Sequence, residues 1–312
     1  MDYDNTVEHT IDLIVDDNTC GVRLDRFISD GAPELSRSYI KGLVSEGKVL
    51  VNGRTQKPSY IVAAGDEITV NVPPPVDITP EPENIPLDIL YEDNDIIIVN
   101  KPKGMVVHPA AGHSHGTLVN ALLYHCKDSL SGINGIIRPG IVHRIDADTT
   151  GSLIVCKNDI THRNIADQIA KHSINRIYEG FVYGNVKEDA GRIDEPIGRH
   201  PKDRKKMAVV RGGKEAITEY SVLERFDSGR ACRMEFKLYT GRTHQIRVHM
   251  AHIGHPLLGD TVYGSAKNPY HLQGQALHAR IIGFVHPATG EYMEVEAPAP
   301  EYFKELCKKL KA

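Results

Sequence analysis

The chain has 312 residues, 40% of them apolar and 25% charged, with a net charge of −4. Such proportions belong to a water-soluble globular protein with a sizeable core, and the length allows two domains of ordinary size. No apolar run approaches the roughly 20 residues that span a bilayer, and the acidic start, MDYDNTVEHT, does not read as a signal peptide.

Residues 1–10 are polar and acidic and are expected to form a disordered tail, ending where the apolar alternation of TIDLIV begins. Residues 11–72 read as a small domain. VRLDRFISD sets Leu24, Phe27 and Ile28 at helical spacing. LSRSYIKGLVSEGKV opens on Ser36 as an N-cap and sets Tyr39, Ile40, Leu43 and Val44 on one face. Gly47 supplies a helix stop, VLVNGRT a strand with an Asn-Gly turn, and GDEITVNV a further strand. The polar faces of the two helices carry Arg23, Arg26, Arg37 and Lys41. Next comes VPPPVDITPEPENIPLD. Proline removes donors and favours extended backbone, so residues 73–85 are expected to be a semi-rigid linker.

Residues 86–312 form the second expected domain. Its strand candidates are DIIIVNK, GSLIVCK, RIYEGFVYG, AITEYSVLERF, CRMEFKLYT, ALHARIIGFVH and YMEVEAP. Its helix candidates are TLVNALLYHC, DITHRNIADQIAKH, THQIRVHMAHIG and PEYFKELCKKL. The order lacks a regular βαβ alternation, so the expected class is α+β, a mixed, largely antiparallel sheet with flanking helices. No dinucleotide-binding glycine fingerprint and no GxxxxGK[ST] loop occurs, which speaks against nucleotide-cofactor chemistry. Five scattered cysteines without a CxxC pair point to reduced thiols in a cytoplasm, not to a disulfide framework or a zinc knuckle. The net charge hides an asymmetry. Residues 1–12 and 77–95 hold four and seven carboxylates with no base between them, so the remainder is basic. Arg192 to Lys214 holds eight basic residues, Arg199, Lys202, Arg204 and Lys205 among them, against three acidic ones. A solvated loop and a phosphate-facing loop explain that run equally well.

RPGIVHRIDADTTGSLIVCKN leads a short apolar step into His143, Arg144, Ile145 and Asp146, then a turn, then a strand after Gly151. Loops held by a rigid scaffold often display functional groups. A guanidinium favours the charged form of a nearby carboxyl, so Asp146 is expected to be ionised and suited to nucleophilic or electrostatic work. The residues alone leave open whether Arg144 and Asp146 react or only brace the loop. In NRIYEGFVYGNV, Tyr178 shares a strand face with Arg176. A phenol there could stack on a base and hold or move a proton. LYTGRTHQIRVHMAHIGHPLLGD joins a strand to a helix through Gly241 and brings up Arg242, His244, Gln245, Arg247 and His252. Histidines at 244, 249, 252 and 255 suggest a metal, but there is no HExxH and no carboxylate within the helix, so none is expected.

Two resemblances rest on these motifs. RLD-x-F, followed by SR and by a helix ending in G-x-V-x-VNG, is similar to the small RNA-binding module of ribosomal protein S-four and of RNA-modifying enzymes. It implies that Arg23, Arg37 and Lys41 touch an RNA backbone. HRID-x-x-T-x-G, R-x-YE-x-x-V-x-G, DEPIGRHPKDRKKMAV and TGRTHQIRVHMAHIGHPLLGD-x-VYG occur in the order of the pseudouridine synthases of ribosomal large-subunit RNA, with the D type most alike. With the first domain, the likeness covers nearly the whole chain. Ile145 stands where leucine is usual and Thr150 where serine also occurs, neither among the reacting groups.

That resemblance implies isomerisation of uridine in large-subunit ribosomal RNA. The N-glycosidic bond breaks, the base turns, and carbon 5 rejoins the ribose, with no redox cofactor. It makes Asp146 the catalytic carboxylate, either attacking the sugar carbon or removing a ribose proton. Tyr178 would stack on the uracil, Arg247 would pair with Asp146, and Arg144 would help extrude the nucleotide. His143, Arg242 and His244 would face RNA beside them, and Arg199, Lys202, Arg204 and Lys205 would hold phosphates. Nothing demands more than a monomer. Two other readings compete: a non-catalytic RNA-binding or ribosome-assembly protein, and a nucleoside or glycoside hydrolase using Asp148 as its second carboxylate.

Overall fold

The computed structural model describes residues 9–73, 79–109, 113–127, 129–133, 135, 138–203, 206–226, 229–265 and 267–311. The chain divides near residue 77 into two compact units.

The first unit comprises β1 (His9–Ile14), α1 (Leu24–Gly31), α2 (Arg37–Ser45), β2 (Val49–Val51), β3 (Arg54–Thr55) and β4 (Glu67–Val72). The sheet runs β1-β4-β2-β3, all antiparallel. Leu24, Phe27, Ile28, Ile40, Leu43 and Val44 close its core against Val49, Val51, Ile68 and Val70. Ser36 caps α2 by accepting from the Tyr39 N–H at 3.2 Å. Asn52 and Gly53 both take positive φ (50° and 75°), the geometry of a tight hairpin turn. Two expectations need correction. Tyr39 does not share the buried face of α2, since 42% of it is exposed. The disordered tail expected over residues 1–10 does not include His9 and Thr10, which pair with Val72 and Asn71, and residues 1–8 lie outside the described residues. A ladder bonds backbone groups whatever the side chains are, so polarity does not mark where it starts.

The second unit holds β5 (Ile89–Glu92), β6 (Ile96–Lys101), α3 (Leu118–Cys126), β7 (Thr150–Cys156), α4 (Asp159–Ala170), β8 (Asn175–Tyr183), β9 (Ala190–Asp194), β10 (Ile197–Arg199), β11 (Met207–Val209), β12 (Ile217–Arg225), β13 (Ala231–Leu238), α5 (Gln245–His252), β14 (Leu277–Val285), β15 (Tyr292–Glu296) and α6 (Glu301–Lys311). Among the described residues the main sheet runs β5-β6-β7-β14-β8-β13-β12-β9, with β15 also on β14. Only the β7–β14 pairing is parallel there. The class is the α+β expected from sequence. Both faces of β6 and β7 are buried: Ile97, Val99, Leu153 and Val155 face α3 and α5, while Ile96, Ile98, Ile154 and Cys156 face α4 and Phe284. No helix among the described residues is long and apolar enough to cross a membrane.

The linker expected over residues 73–85 does not run that far. Residues 74–78 lie outside the described residues, but 81–83 already dock on the start of α3. The Asn120 side chain donates to the Glu81 carbonyl at 2.8 Å, and the Glu83 carboxylate accepts from the Gly116 N–H at 3.1 Å. The charged stretch near 198–214 is not simply a loop, because β10 and β11 pair there as a hairpin.

Candidate active site

The HRID segment takes no regular structure of its own because it completes another element's edge. β14 pairs with β7 only at Thr150 and Gly151. Beyond that point the edge of β7 is taken up by the segment before Asp146. Ile141 bridges Val155, Cys156 donates to the Gly140 carbonyl at 2.9 Å, and Ile154 donates to Nε2 of His143 at 3.0 Å. Burial, with the charge of Arg176, pushes the His143 imidazole down to about 3, which keeps that nitrogen free to accept. His143 lines the cleft but acts as a surrogate backbone acceptor. Ile145 is buried and anchors the next step, while exposed Arg144 and half-buried Asp146 on either side of it in sequence both face the cleft.

The turn after Asp146 is tied down from below. Lys101, fully buried at the end of β6, donates to the carbonyls of Pro102, Met105 and Ala147 at 2.8, 2.8 and 2.7 Å. Burial pushes its ammonium down to about 7, against the pull of Asp148 and Asp146. Thr149 donates to the Asp146 carbonyl at 3.0 Å, and its hydroxyl accepts from Gln275 at 3.0 Å. Gly151 sits at φ 110°, where a Cβ would run into the backbone of Ala279. Lys101 escaped the sequence reading; its signal was a lone lysine closing a strand that opens on four apolar residues.

Arg247 reaches Asp146 from α5. Its Nη1 donates to Oδ2 of Asp146 at 2.9 Å, while Nε and Nη2 hold the two oxygens of Asp260 at 2.7 and 3.0 Å. Asp260 has no exposed side-chain surface. It also accepts from the Val262 and Tyr263 N–H groups at 3.0 and 3.1 Å. Burial pushes the Asp260 carboxyl up, but the Arg247 guanidinium and the two backbone donors outweigh that and hold it below the usual carboxylate range. A two-toothed pair fixes both position and plane of the guanidinium, so its third arm is aimed. The Tyr263 ring lies 5.0 Å from the guanidinium carbon. Its hydroxyl meets Nδ1 of His244 at 2.7 Å and accepts from the Met207 N–H at 2.9 Å. Nε2 of His244 stands 3.9 Å from Asp146. Asp260 and Tyr263 were not singled out from sequence, although both belong to the GDTVYG run.

Asp146 stands where two lobes of one cleft meet. The first, about 490 Å³, has an apolar floor of Leu238, Ile246 and Leu277 with Tyr178 and Arg176. Burial pushes the Tyr178 phenol up, more than Arg176 pulls it down, so it keeps its proton at neutral pH. Arg176 donates to the Tyr239 carbonyl at 3.0 Å, while its buried Nε has no hydrogen-bond partner among the described residues. The second lobe, about 620 Å³, is lined by His108, Arg144, Asp148, Lys206 and Gln275. Arg242 lines the first lobe and donates from Nε to the Glu215 carbonyl at 2.8 Å. Gln245 and His249 do not reach out. Gln245 bonds Thr240, Thr218, Ile217 and Arg242, and His249 bonds Thr218 and Glu195.

The profile of the RNA pseudouridylate synthase family matches residues 95–252, which contain Asp146, Tyr178 and Arg247, and that of the S4 domain matches residues 22–68. The chain is 50% identical to the RNA pseudouridine synthase YlyB of Bacillus subtilis, over 96% of this chain and 98% of that one. The chain belongs to the RNA pseudouridine synthase family. Ribosomal large subunit pseudouridine synthase D of Escherichia coli is 42% identical, over 96% of this chain and 93% of that one. Among solved structures, human RNA Pseudouridylate Synthase Domain Containing 1 shares the fold at a TM-score of 0.55 and 23% identity, covering 76% of this chain and 97% of that chain. The protein is therefore an isomerase.

The remaining expected contact residues of the synthase lie on other elements. Arg199 ends β10 and Lys202 follows it, both exposed, while Arg204 and Lys205 lie outside the described residues. Lys206, which was not singled out, returns the hairpin to the second lobe. In the first unit Arg23, Arg37 and Lys41 converge on one carboxylate, Asp25, at 3.0, 3.4 and 3.5 Å.

Proposed function

We propose that this synthase converts uridine to pseudouridine in large-subunit ribosomal RNA, with Asp146 as the carboxylate that reacts. The observation that carries the reading is an aspartate at the junction of two lobes, aimed by Arg247 and facing a buried tyrosine. The names of the D-type relatives support the choice of RNA. The target uridine turns out of its stack into the first lobe, where Tyr178, Leu238 and Leu277 form a base-sized apolar seat. Extrusion costs a few kcal/mol and is least for an unpaired nucleotide, which favours loop uridines. Arg144, exposed at the rim, occupies the space that the base leaves.

The N1–C1′ bond breaks and a C5–C1′ bond forms. Carbon 5 gives up its proton and N1 gains one, so nothing enters or leaves the substrate overall. Asp146 assists by attacking C1′ or by taking a ribose proton, and the Tyr178 hydroxyl beside the base acts as a relay, passing its own proton on to the base as it takes the one from carbon 5. The first unit, the module expected over residues 11–72, and the basic hairpin add sequence-tolerant phosphate contacts. Every group named comes from one chain, so a monomer suffices, working in the cytoplasm on ribosomal RNA. Asp146→Asn keeps size and removes charge. Turnover is expected to fall on the order of 10³-fold or more, and a near-wild-type rate would sink the mechanism. Carbodiimide primer-extension mapping of large-subunit RNA, from cells with and without the gene, identifies the uridines. An unchanged map would sink the choice of substrate.

A further inference from the structure

Asp25, in the first turn of α1, has a fully buried side chain. Arg23 grips it with two teeth, Nε to Oδ1 at 3.0 Å and Nη2 to Oδ2 at 3.2 Å. Arg37 and Lys41, four residues apart and thus on one face of α2, bring Nη2 and Nζ to within 3.4 and 3.5 Å of the same Oδ2. All three cations are about half exposed, while the carboxylate is not. Solvent therefore meets three positive heads over one hidden negative charge.

This differs from other ion pairs of the unit. Arg26 pairs with Asp30 and Lys48 with Glu46, both exposed, one cation to one anion. Exposed pairs of that kind contribute little, and crowding a second and third cation onto one carboxylate adds repulsion. The arrangement leaves two positive charges uncompensated within one small patch. A multi-oxygen anion approaching from solvent fits them, because it can accept from several nitrogens at once. Nη1 of Arg23, one side of the Arg37 guanidinium and two of the Lys41 N–H bonds remain to be donated.

We propose that Asp25 gathers Arg23, Arg37 and Lys41 into a single site for an RNA phosphate, and that it is the positioning residue of that site. The proposal rests on the RNA-modifying function argued above. Asp25 touches no RNA itself. Being buried and bonded, it cannot swing away, so it restrains three long side chains that would otherwise spread in water.

The test uses the full-length protein and a transcript of the large-subunit ribosomal RNA, with affinity measured over a series of KCl concentrations. Asp25→Asn makes the chain more positive by one charge. If summed charge alone governed binding, that variant would bind as tightly as wild type or more tightly, with an equal or steeper salt dependence. Such a result overturns the proposal. Gathering predicts the opposite sign: binding about tenfold weaker, with a salt slope reduced by about one phosphate contact. A loss of fold alone would show in the circular-dichroism melt.

For that case Arg37→Gln, Lys41→Gln and the double variant, all at half-exposed positions, carry the test. One shared phosphate makes the double loss only slightly larger than either single loss, whereas losses that multiply overturn the single site. Wild-type protein without salt-dependent affinity for the transcript would instead overturn the RNA reading beneath the proposal.

Discussion

Asp146 and Arg247 are 101 positions apart, and their contact depends on a third residue. Asp260 occupies two of the three donor directions of the guanidinium and leaves one for Asp146. Asp260→Asn removes that charge without changing size, while Val262 and Tyr263 keep an oxygen to donate to. Turnover is expected to drop about 10²-fold, the scale set by misplacement of a reacting group by about an ångström, with a much smaller change in KM. Steady-state kinetics on a stem-loop substrate decide it, and a kcat within a few fold of wild type would show that Arg247 needs no second carboxylate. Tyr178→Phe retains the ring proposed to seat the base and removes the hydroxyl. A larger loss in turnover than in RNA affinity is the expected outcome; equal losses would make Tyr178 a binding residue only. Asp146, Tyr178 and Arg247 were each legible as motif residues. Asp260 was not, because an aspartate after Leu-Leu-Gly reads as a turn residue until its partner is seen.

At the scale of elements, β7 decides where the site lies. Its buried stretch has a regular neighbour on one side and an improvised one on the other, and the improvised neighbour is the segment that displays Asp146. The His143 imidazole must stay neutral to accept from Ile154. Its pKa lies near 3 in the fold and near 6.5 when unfolded. The unfolded chain therefore binds a proton that the fold refuses, and stability falls as pH drops from about 6.5 toward 3. His143→Gln retains an acceptor that does not titrate. Its urea-unfolding stability is expected to lose about 2 kcal/mol less than wild type between about pH 6.5 and pH 5. Equal pH dependence of the two proteins would show that His143 is not the proton-sensitive group. The long strands and the six helices of the described residues were legible in the sequence. β5, β9, β10 and β11 were not, since short edge strands and a charged hairpin carry too few apolar positions to establish a period of two.

At the scale of the whole molecule, the proposed chemistry and much of the proposed phosphate binding fall to different units. Deleting residues 1–72 is expected to weaken binding to large ribosomal RNA about tenfold or more and to flatten its salt dependence. Some activity on a small stem-loop should remain, because Asp146, Tyr178, Arg247 and Asp260 all lie in the second unit. Gel-shift titration and a pseudouridine assay on the same preparation separate the two effects. Loss of the second unit's fold on deletion would show that the Pro-rich segment does not separate independent parts.

The sequence by itself determined the class of fold, the family motifs, the helices and long strands, and the candidate carboxylate. Periodicity and short motifs are local properties that survive being read one residue at a time. What the tertiary structure alone decided is which charges meet. Asp260 aims Arg247, Lys101 holds the turn, His143 serves the sheet's edge instead of facing outward, and Asp25 draws three cations together. Each of these arrangements includes hydrogen bonds or ion pairs that close only when separate segments pack. Residue type and spacing therefore name the participants, and only the fold assigns their partners.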